Sequence, residues 1–342
     1  MHHILVAQAL VSVKNGMPEN VSVVATVKNE CDSIEAFLTA LLNQSRAPDE
    51  IVISDGGSTD GTAEAIRRAI ANDATRLRLI QAPGTNIAQG RNRAIASCSG
   101  SIVAVTDAGT KPRPDWLERL VRPLETDPSI AVSGGFFEPD GSTFLQRCIA
   151  VVITPQVPEV SPDSFLPSSR SVAFRRDWWE RAGRYPEWLD HCEDVVFDLE
   201  LKRAGATIVY TPDARVLWSP APTLRAFARQ YFRYARGDAK AGLWPGRHAI
   251  RYGIYSAFLF LLSRLRRRPS TLGPLIALGR PYLARYYRRI ERMPPGQAPG
   301  DALLAWLLAP LIVAVGDAAK MVGYASGHLD RLTASRTPSS RD

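Results

Sequence analysis

The sequence has no GxGxxG motif after its first apolar run and no GxxxxGK[ST] anywhere. The glycine fingerprint that seats a dinucleotide and the loop that cradles a triphosphate are both missing, so neither reading has its main support. Cys31, Cys98, Cys148 and Cys192 form no CxxC pair and have no histidine at zinc spacing. Neither a disulfide framework nor a structural metal centre is indicated, and a reducing cytoplasm suits such cysteines. Residues 1–9 hold two histidines and a short apolar run, without a basic leader or a small-residue cleavage site. No secretory signal is expected there, and residues 1–20 read as a loose N-terminal extension.

The 342 residues are enough for one large α/β domain with an appendage, or for two smaller domains. The net charge of +8 is unevenly spread: residues 225–292 carry fifteen Arg and one Lys against Asp238 and Glu291, a segment charge of +14. The rest of the chain is acidic. The basic character belongs to one segment.

Val21–Val27 (VSVVATV) is apolar and β-branched and reads as a buried strand, after which Asp32 and Glu35 open a helical pattern with Ile34, Phe37, Leu38, Leu41 and Leu42 on one face. The unit recurs, with strands at 51–54, 77–81 and 101–106 preceding helices at 60–71, 87–97 and 114–125. This alternation predicts a mostly parallel sheet flanked by helices on both faces. Ligands of such sheets bind beyond the carboxyl ends of the strands, where Asn29 with Glu30, Asp55 and Asp107 stand. From about Ala131 the texture is irregular. Pro155, Pro158, Pro162 and Pro167 predict a loop over the site, followed by a short strand at 171–174 and a helix carrying Glu193 and Asp194.

Asp55 ends the run IVISD before Gly56, Gly57 and Ser58, a turn that brings backbone close to a ligand while the carboxylate accepts hydrogen bonds from a base or ribose. The same spacing suits a turn carboxylate, with Asp60 as a helix cap. Asp107 ends IVAVTD before Ala108 and Gly109, and could hold Mg²⁺ or Mn²⁺ against a diphosphate, or simply cap the turn before Pro112. Glu193 and Asp194 open EDVVFDLELKRAG, where adjacent carboxylates gain from the helix dipole even without a role.

In chain order, VSVVATVKNE, IVISDGGSTDGT, GTNIAQGRNRAIASCSG, IVAVTDAGTKPRPDWL, SVAFRRDWWERAGRYPEWL, HCEDVVFDLELKRAG and QYFRYARG resemble the family 2 glycosyltransferases, over roughly residues 21–237. The resemblance implies the GT-A fold, Rossmann-like, with Glu30, Asp55 and Arg91 lining a nucleotide pocket and Asp55 facing the base. It places Asp107 first in the family's DxD metal motif, and Asp194, beside Glu193 in the ED pair, as general base in an inverting transfer. The chemistry agrees, since glycosyl transfer needs an acceptor hydroxyl deprotonated on one face of the sugar and a diphosphate neutralised on the other. Gln230, Arg233 and Tyr234 are similar to the QxxRW element of processive members. Arg233 or Arg236 could clamp the departing diphosphate, and an arginine-rich membrane-facing helix is the other reading. Two departures stand out: Gly109 replaces the second Asp of DxD, and Tyr234 stands where processive members carry Trp.

Beyond Pro222 the apolar segments 252–265, 272–283 and 302–315 are shorter than the roughly 20 residues of a spanning helix. Arg264, Arg266, Arg267 and Arg268 follow one apolar run, and Arg285, Arg288, Arg289 and Arg292 another. That pattern suits a membrane surface with anionic headgroups; the interleaved apolar segments argue against nucleic acid as a partner. The expected organisation is an extension (1–20), a GT-A catalytic domain (21–222), a basic and apolar helical membrane-associated region (223–330) and a disordered tail (331–342). The expected function is inverting, Mg²⁺- or Mn²⁺-dependent transfer from a nucleotide-sugar, a UDP-sugar, to a lipid-linked or envelope glycan acceptor at the cytoplasmic face of the membrane. The alternative is a non-catalytic membrane or nucleic-acid binding protein on the same fold.

Overall fold

The computed structural model describes residues 19–72, 76–292 and 301–334. The β-branched run Val21–Val27 forms strand β1, with six of its seven residues buried. Side chains buried on both faces require parallel neighbours covered by helices. Those neighbours are β2 (Glu50–Asp55), β3 (Leu77–Gln81) and β4 (Ile102–Asp107), in the spatial order β3-β2-β1-β4. Helices α1 (Ile34–Leu42), α2 (Thr62–Asn72) and α3 (Ile87–Ser97) connect them. α1 starts two residues beyond Asp32, with Ser33 at its N-cap. The register pairs Val27 with Asp55 on one side and Thr26 with Asp107 on the other, so the carboxyl ends of β1, β2 and β4 finish level. A ligand cleft is built at that rim.

The second half of the sheet is mixed. A short β5 (Thr110–Pro112) and helix α4 (Trp116–Thr126) lead to β6 (Val132–Pro139), α5 (Phe144–Ile153), β7 (Val172–Arg175), α6 (Arg176–Arg181), α7 (Glu193–Arg203) and β8 (Ile208–Trp218). β7 runs antiparallel between β4 and β6, while β8 lies parallel to β6 and antiparallel to the edge strand β5. β6 lies in the stretch expected to be irregular, because Gly134 and Gly135 interrupt its strand pattern. A side chain at either position would collide, with the Phe165 ring at Gly134 and with Ser171 and Ala214 at Gly135. The proline-dense segment folds as two single 3₁₀ turns, Val157–Glu159 and Pro162–Ser164.

Among the described residues four α-helices follow: α8 (Leu224–Lys240), α9 (Pro245–Leu265), α10 (Leu272–Glu291) and α11 (Asp301–Ala334). α11 extends well past the apolar run 302–315 and through residues 331–334, which were expected to be disordered; residues 335–342, and 1–18 of the extension, lie outside the described residues. α11 packs along α8 through its glycines. A β-carbon at Gly316 would press on the Phe227 ring, and at Gly323 and Gly327 it would strike the carbonyl oxygens of Phe232 and Arg236. Spacing of small residues by four lets helix backbones approach this closely. Among the described residues, Ala302–Thr333 is the one stretch long and apolar enough to cross a membrane. Buried Asp317 on α11 accepts hydrogen bonds from Arg251 Nε (2.9 Å) and Tyr255 (3.2 Å) on α9 and from Tyr282 on α10, tying the three helices together.

Candidate active site

The carboxyl rim of the sheet opens into a cavity of about 1160 Å³, walled by the ends of β1, β2 and β4, the head of α3, residues 166–168 and 190–195, and helices α8, α9 and α11. α3 enters with a capping box in which Asn86 accepts from the Gln89 amide and Gln89 accepts from the Asn86 amide, fixing where its next turn points. Gly90 lets that turn press on β1 and β2, since a β-carbon there would crowd Thr26 and Ser54. The result is to place Arg91, 1% exposed, beneath the cavity floor.

Arg91 joins two distant parts of the sequence. Its Nη2 lies 2.7 Å from Asp107 Oδ1 at the end of β4, and its Nη1 lies 2.5 Å from Glu193 Oε1 at the start of α7. Burial opposes a charge on Arg91, and Asp107 and Glu193 more than restore it, so the guanidinium holds its proton more tightly than usual. At Glu193 burial pushes the carboxyl up, Arg91 pulls it down and neighbouring Asp194 adds to the rise. One turn further along α7, Asp198 is buried, with Oδ2 lacking a hydrogen-bond partner among the described residues; burial and then Asp194 raise it well above the usual carboxylate range.

Asp194 is half-buried on the cavity wall, with Oδ1 accepting from the Val195 amide at 2.9 Å. The turn before it is held against α8: Cys192, in a left-handed conformation at φ 66°, points its thiol at the Tyr234 carbonyl (3.2 Å). Gly237 permits this approach, because a side chain there would meet the His191 carbonyl oxygen. The glycine of the QYFRYARG segment thus sets the position of the carboxylate-bearing helix.

The other expected residues divide. Glu30 lines the cavity and accepts from Ser33 Oγ at 2.8 Å. Arg233 lines it too, from α8. Asp55 is buried just behind the wall, where its Oδ1 accepts from the amide (3.0 Å) and hydroxyl (2.6 Å) of Ser58, while Ser54 and Gly56 form the wall itself. Arg236 turns away from the cavity to pair with Asp330 of α11 at 2.6 Å.

Arg170 was missed. It lines the cavity with its guanidinium over the rings of Trp218 (4.8 Å) and Phe137 (5.2 Å), and donates to the Tyr234 hydroxyl at 3.4 Å. That hydroxyl also accepts from Gln230 at 2.9 Å. Stacking between aromatic faces fixes an arginine's plane without a carboxylate. Its sequence context, SSRSVAF, carries no signal of this, because the stacking partners come from β6 and β8.

The residues fit a divalent cation in one limited way. Asp107 Oδ1 is committed to Arg91, Oδ2 has no partner among the described residues, and Gly109 supplies no ligand. No group of three His, Cys, Asp or Glu among the described residues could hold a metal. A cation here would take one protein oxygen and complete its shell from diphosphate and water, an arrangement Mg²⁺ accepts readily.

A mixed sheet with a parallel first half and a carboxylate-walled cavity at its carboxyl rim is the arrangement expected of the GT-A fold. The comparisons agree. The model of glycosyl transferase family 2 matches residues 22–165, and that of glycosyl transferase family group 2 matches residues 102–316. The chain is 30% identical over 224 residues to the succinoglycan biosynthesis protein ExoA of Rhizobium meliloti, covering 62% of this chain and 67% of that one. It is 28% identical over 257 residues to glycosyltransferase AglE of Haloferax volcanii (74% and 83%). It is 26% identical over 303 residues to the N-acetylglucosaminyl-diphospho-decaprenol L-rhamnosyltransferase of Mycobacterium tuberculosis (73% and 96%). The fold is shared with the mannosyltransferase PcManGT of Pyrobaculum calidifontis, solved with GDP-Man and Mn²⁺, at a TM-score of 0.54 and 19% identity over 94% of this chain and 89% of that one. The chain belongs to the family 2 glycosyltransferases and is a transferase acting on nucleotide-sugars. That membership decides against the non-catalytic alternative.

Proposed function

We propose that this enzyme transfers a sugar, with inversion, from a UDP-sugar to an acceptor presented at the cytoplasmic face of a membrane. The observation that carries this reading is the double pairing of Arg91, which ties Asp107 and the Glu193–Asp194 pair to one cavity wall although 87 residues separate Asp107 from Asp194.

In this reading Asp194 accepts the proton of the acceptor hydroxyl. The oxygen attacks the anomeric carbon from the face opposite the diphosphate, the bond from that carbon to the phosphate oxygen breaks, and the nucleoside diphosphate leaves. One displacement inverts the anomeric centre. Glu30 and the loop around Asp55 bind the nucleoside, with Asp55 bracing the loop through Ser58. Arg91 orients Asp107 and Glu193, and Arg170 with Arg233 offsets charge on the departing diphosphate. A divalent cation held by Asp107 would supply further positive charge there.

Residues 21–222 form the catalytic unit, completed by Arg233 from α8, and residues 223–330 the membrane-associated region. Exposed Leu259, Phe260, Leu303 and Leu307 on α9 and α11 support contact with lipid, as do the arginines that close α9. The relatives' names support an envelope or lipid-linked glycan as acceptor. A panel of nucleotide-sugars tests the donor: one bound at a hundred times its Kd raises folding stability by about 2.7 kcal/mol. A UDP-sugar is expected to give the largest thermal shift. A larger shift from a GDP-sugar would overturn the choice of nucleotide, and no shift from any would overturn the reading itself.

A further inference from the structure

The cavity has a second, basic end. α8 contributes Arg229 and Arg233, α9 contributes Arg247 and Arg251, and α11 contributes Lys320. Trp244 at the N-cap of α9 and Arg247, His248 and Arg251 on its first turns line the cavity, so one face of the helix is turned to it. Among the described residues three carboxylates lie at this end, Asp190, Asp238 and Asp317, and Asp190 acts on His191 and Arg236. Asp317 is taken by Arg251 (2.9 Å) and Lys320 (3.5 Å), and Asp238 lies 3.2 Å from His248 Nε2. Arg229, Arg233 and Arg247 have no carboxylate partner among the described residues; Arg247 rests on the Trp244 ring at 4.9 Å. His191 packs against α8, and its affinity for a proton is lowered by burial and then by Arg233, with Asp190 acting in the opposite sense.

We propose that this basic end binds the phosphate or diphosphate of the acceptor, an inference that rests on the glycosyl-transfer reading and assigns residues to its second substrate. Three observations converge. The donor's expected partners Glu30, Arg91 and Asp107 lie on the β-sheet side, and with Arg233 set aside for the donor's diphosphate, Arg229, Arg247, Arg251 and Lys320 remain on α8, α9 and α11. The cavity, at about 1160 Å³, exceeds the ~300–1,000 Å³ usual for one small ligand. Its helices α9 and α11 also carry the exposed apolar side chains, so an anionic headgroup bound here has an apolar surface on the same elements for an attached chain. Surplus arginines with no internal carboxylate are what a phosphate dianion requires.

The test is calorimetric titration of inorganic pyrophosphate into the full-length protein, already saturated with UDP to fill the donor side. Binding is expected, and Arg229→Ala/Arg247→Ala should weaken it by at least about tenfold, the scale of two lost charge-assisted contacts. Both positions are exposed, and a matching thermal melt confirms that the variant is folded. Arg267→Ala, equally basic but away from the cavity, should leave pyrophosphate affinity as it is. No binding to the UDP-loaded protein, undiminished binding by the double variant, or an equal loss in Arg267→Ala would each overturn the proposal. If UDP and other nucleoside diphosphates fail to bind, the donor reading falls separately, and the titration is read on the nucleotide-free protein by the same criteria. Competition then identifies the source of the phosphate. Displacement of pyrophosphate only by a prenyl diphosphate in phosphatidylcholine vesicles assigns a lipid headgroup, and equal displacement by soluble glucose 1-phosphate assigns a free glycosyl phosphate. Displacement by neither overturns the assignment.

Discussion

Arg91 and Asp107 form a 2.7 Å ion pair in which the arginine is buried and the carboxylate reaches the cavity wall. The same guanidinium is shared with Glu193, so one side chain fixes the distance between the end of β4 and the head of α7. Removing it leaves Glu193 buried opposite no cation. Arg91→Met is expected to cost about 3–5 kcal/mol of stability, the range for breaking a buried pair by losing one partner. Arg91→Met/Glu193→Gln should recover part of it. Denaturant unfolding measures both, and a single variant as stable as wild type would remove Arg91 from this role.

With one free oxygen on Asp107 and no ligand at position 109, a divalent cation should depend on the nucleotide for its other ligands. Calorimetry of Mn²⁺ against the enzyme alone is expected to show weak binding or none, and against the enzyme saturated with nucleoside diphosphate, clear binding. Asp107→Asn should weaken the latter about tenfold, since one of few protein charges is lost. Tight Mn²⁺ binding without nucleotide would contradict this.

Asp198 makes stability depend on pH. Its folded pKa lies above its unfolded value because burial, then Asp194, disfavours the anion. The stability it contributes is therefore present in full below the ordinary carboxylate range and lost as pH rises through the folded value. Asp198→Asn cannot ionise. Relative to wild type, its stability should be near equal at pH 4 and increasingly favourable toward pH 8. Urea midpoints across that range measure the difference, and one that is flat with pH would be inconsistent with a raised Asp198.

The first half of the fold was legible because each signal was local. VSVVATV needs no distant partner to read as a buried strand, and Asp107 falls at the end of its strand by simple alternation. Asp55 was legible as a turn carboxylate, but its turn toward Ser58 depends on the side chain's own conformation. The stacking of Arg170 and the pairing of Arg91 with Glu193 were not legible, because their partners are supplied by β6, β8 and α7, far away in sequence. Arg236 stands at a plausible spacing beside Arg233, yet α11 provides Asp330 as a partner that no reading of α8 alone contains. The same holds for α11 itself, whose glycines matter only once α8 lies against them.

Those glycines give a contrast. Gly327→Val would drive a side chain into the Arg236 carbonyl, whereas Gly253 on α9 faces nothing within 4 Å. Gly327→Val should lose about 1–3 kcal/mol by overpacking. Gly253→Ala should gain roughly 0.5–1 kcal/mol from helix propensity. Unfolding curves of the two variants check both signs; a harmless Gly327→Val would mean that α8 and α11 do not pack this closely.

On the proposed mechanism the Asp194 carboxylate takes the acceptor's proton. Asp194→Asn keeps the shape and removes the base, so the rate of transfer at saturating donor and acceptor should fall by ~10²–10⁴. Donor affinity, read by calorimetry on the same preparation, should stay within a few-fold of wild type. Transfer by Asp194→Asn at the wild-type rate, with the donor bound equally well, would contradict the claim outright.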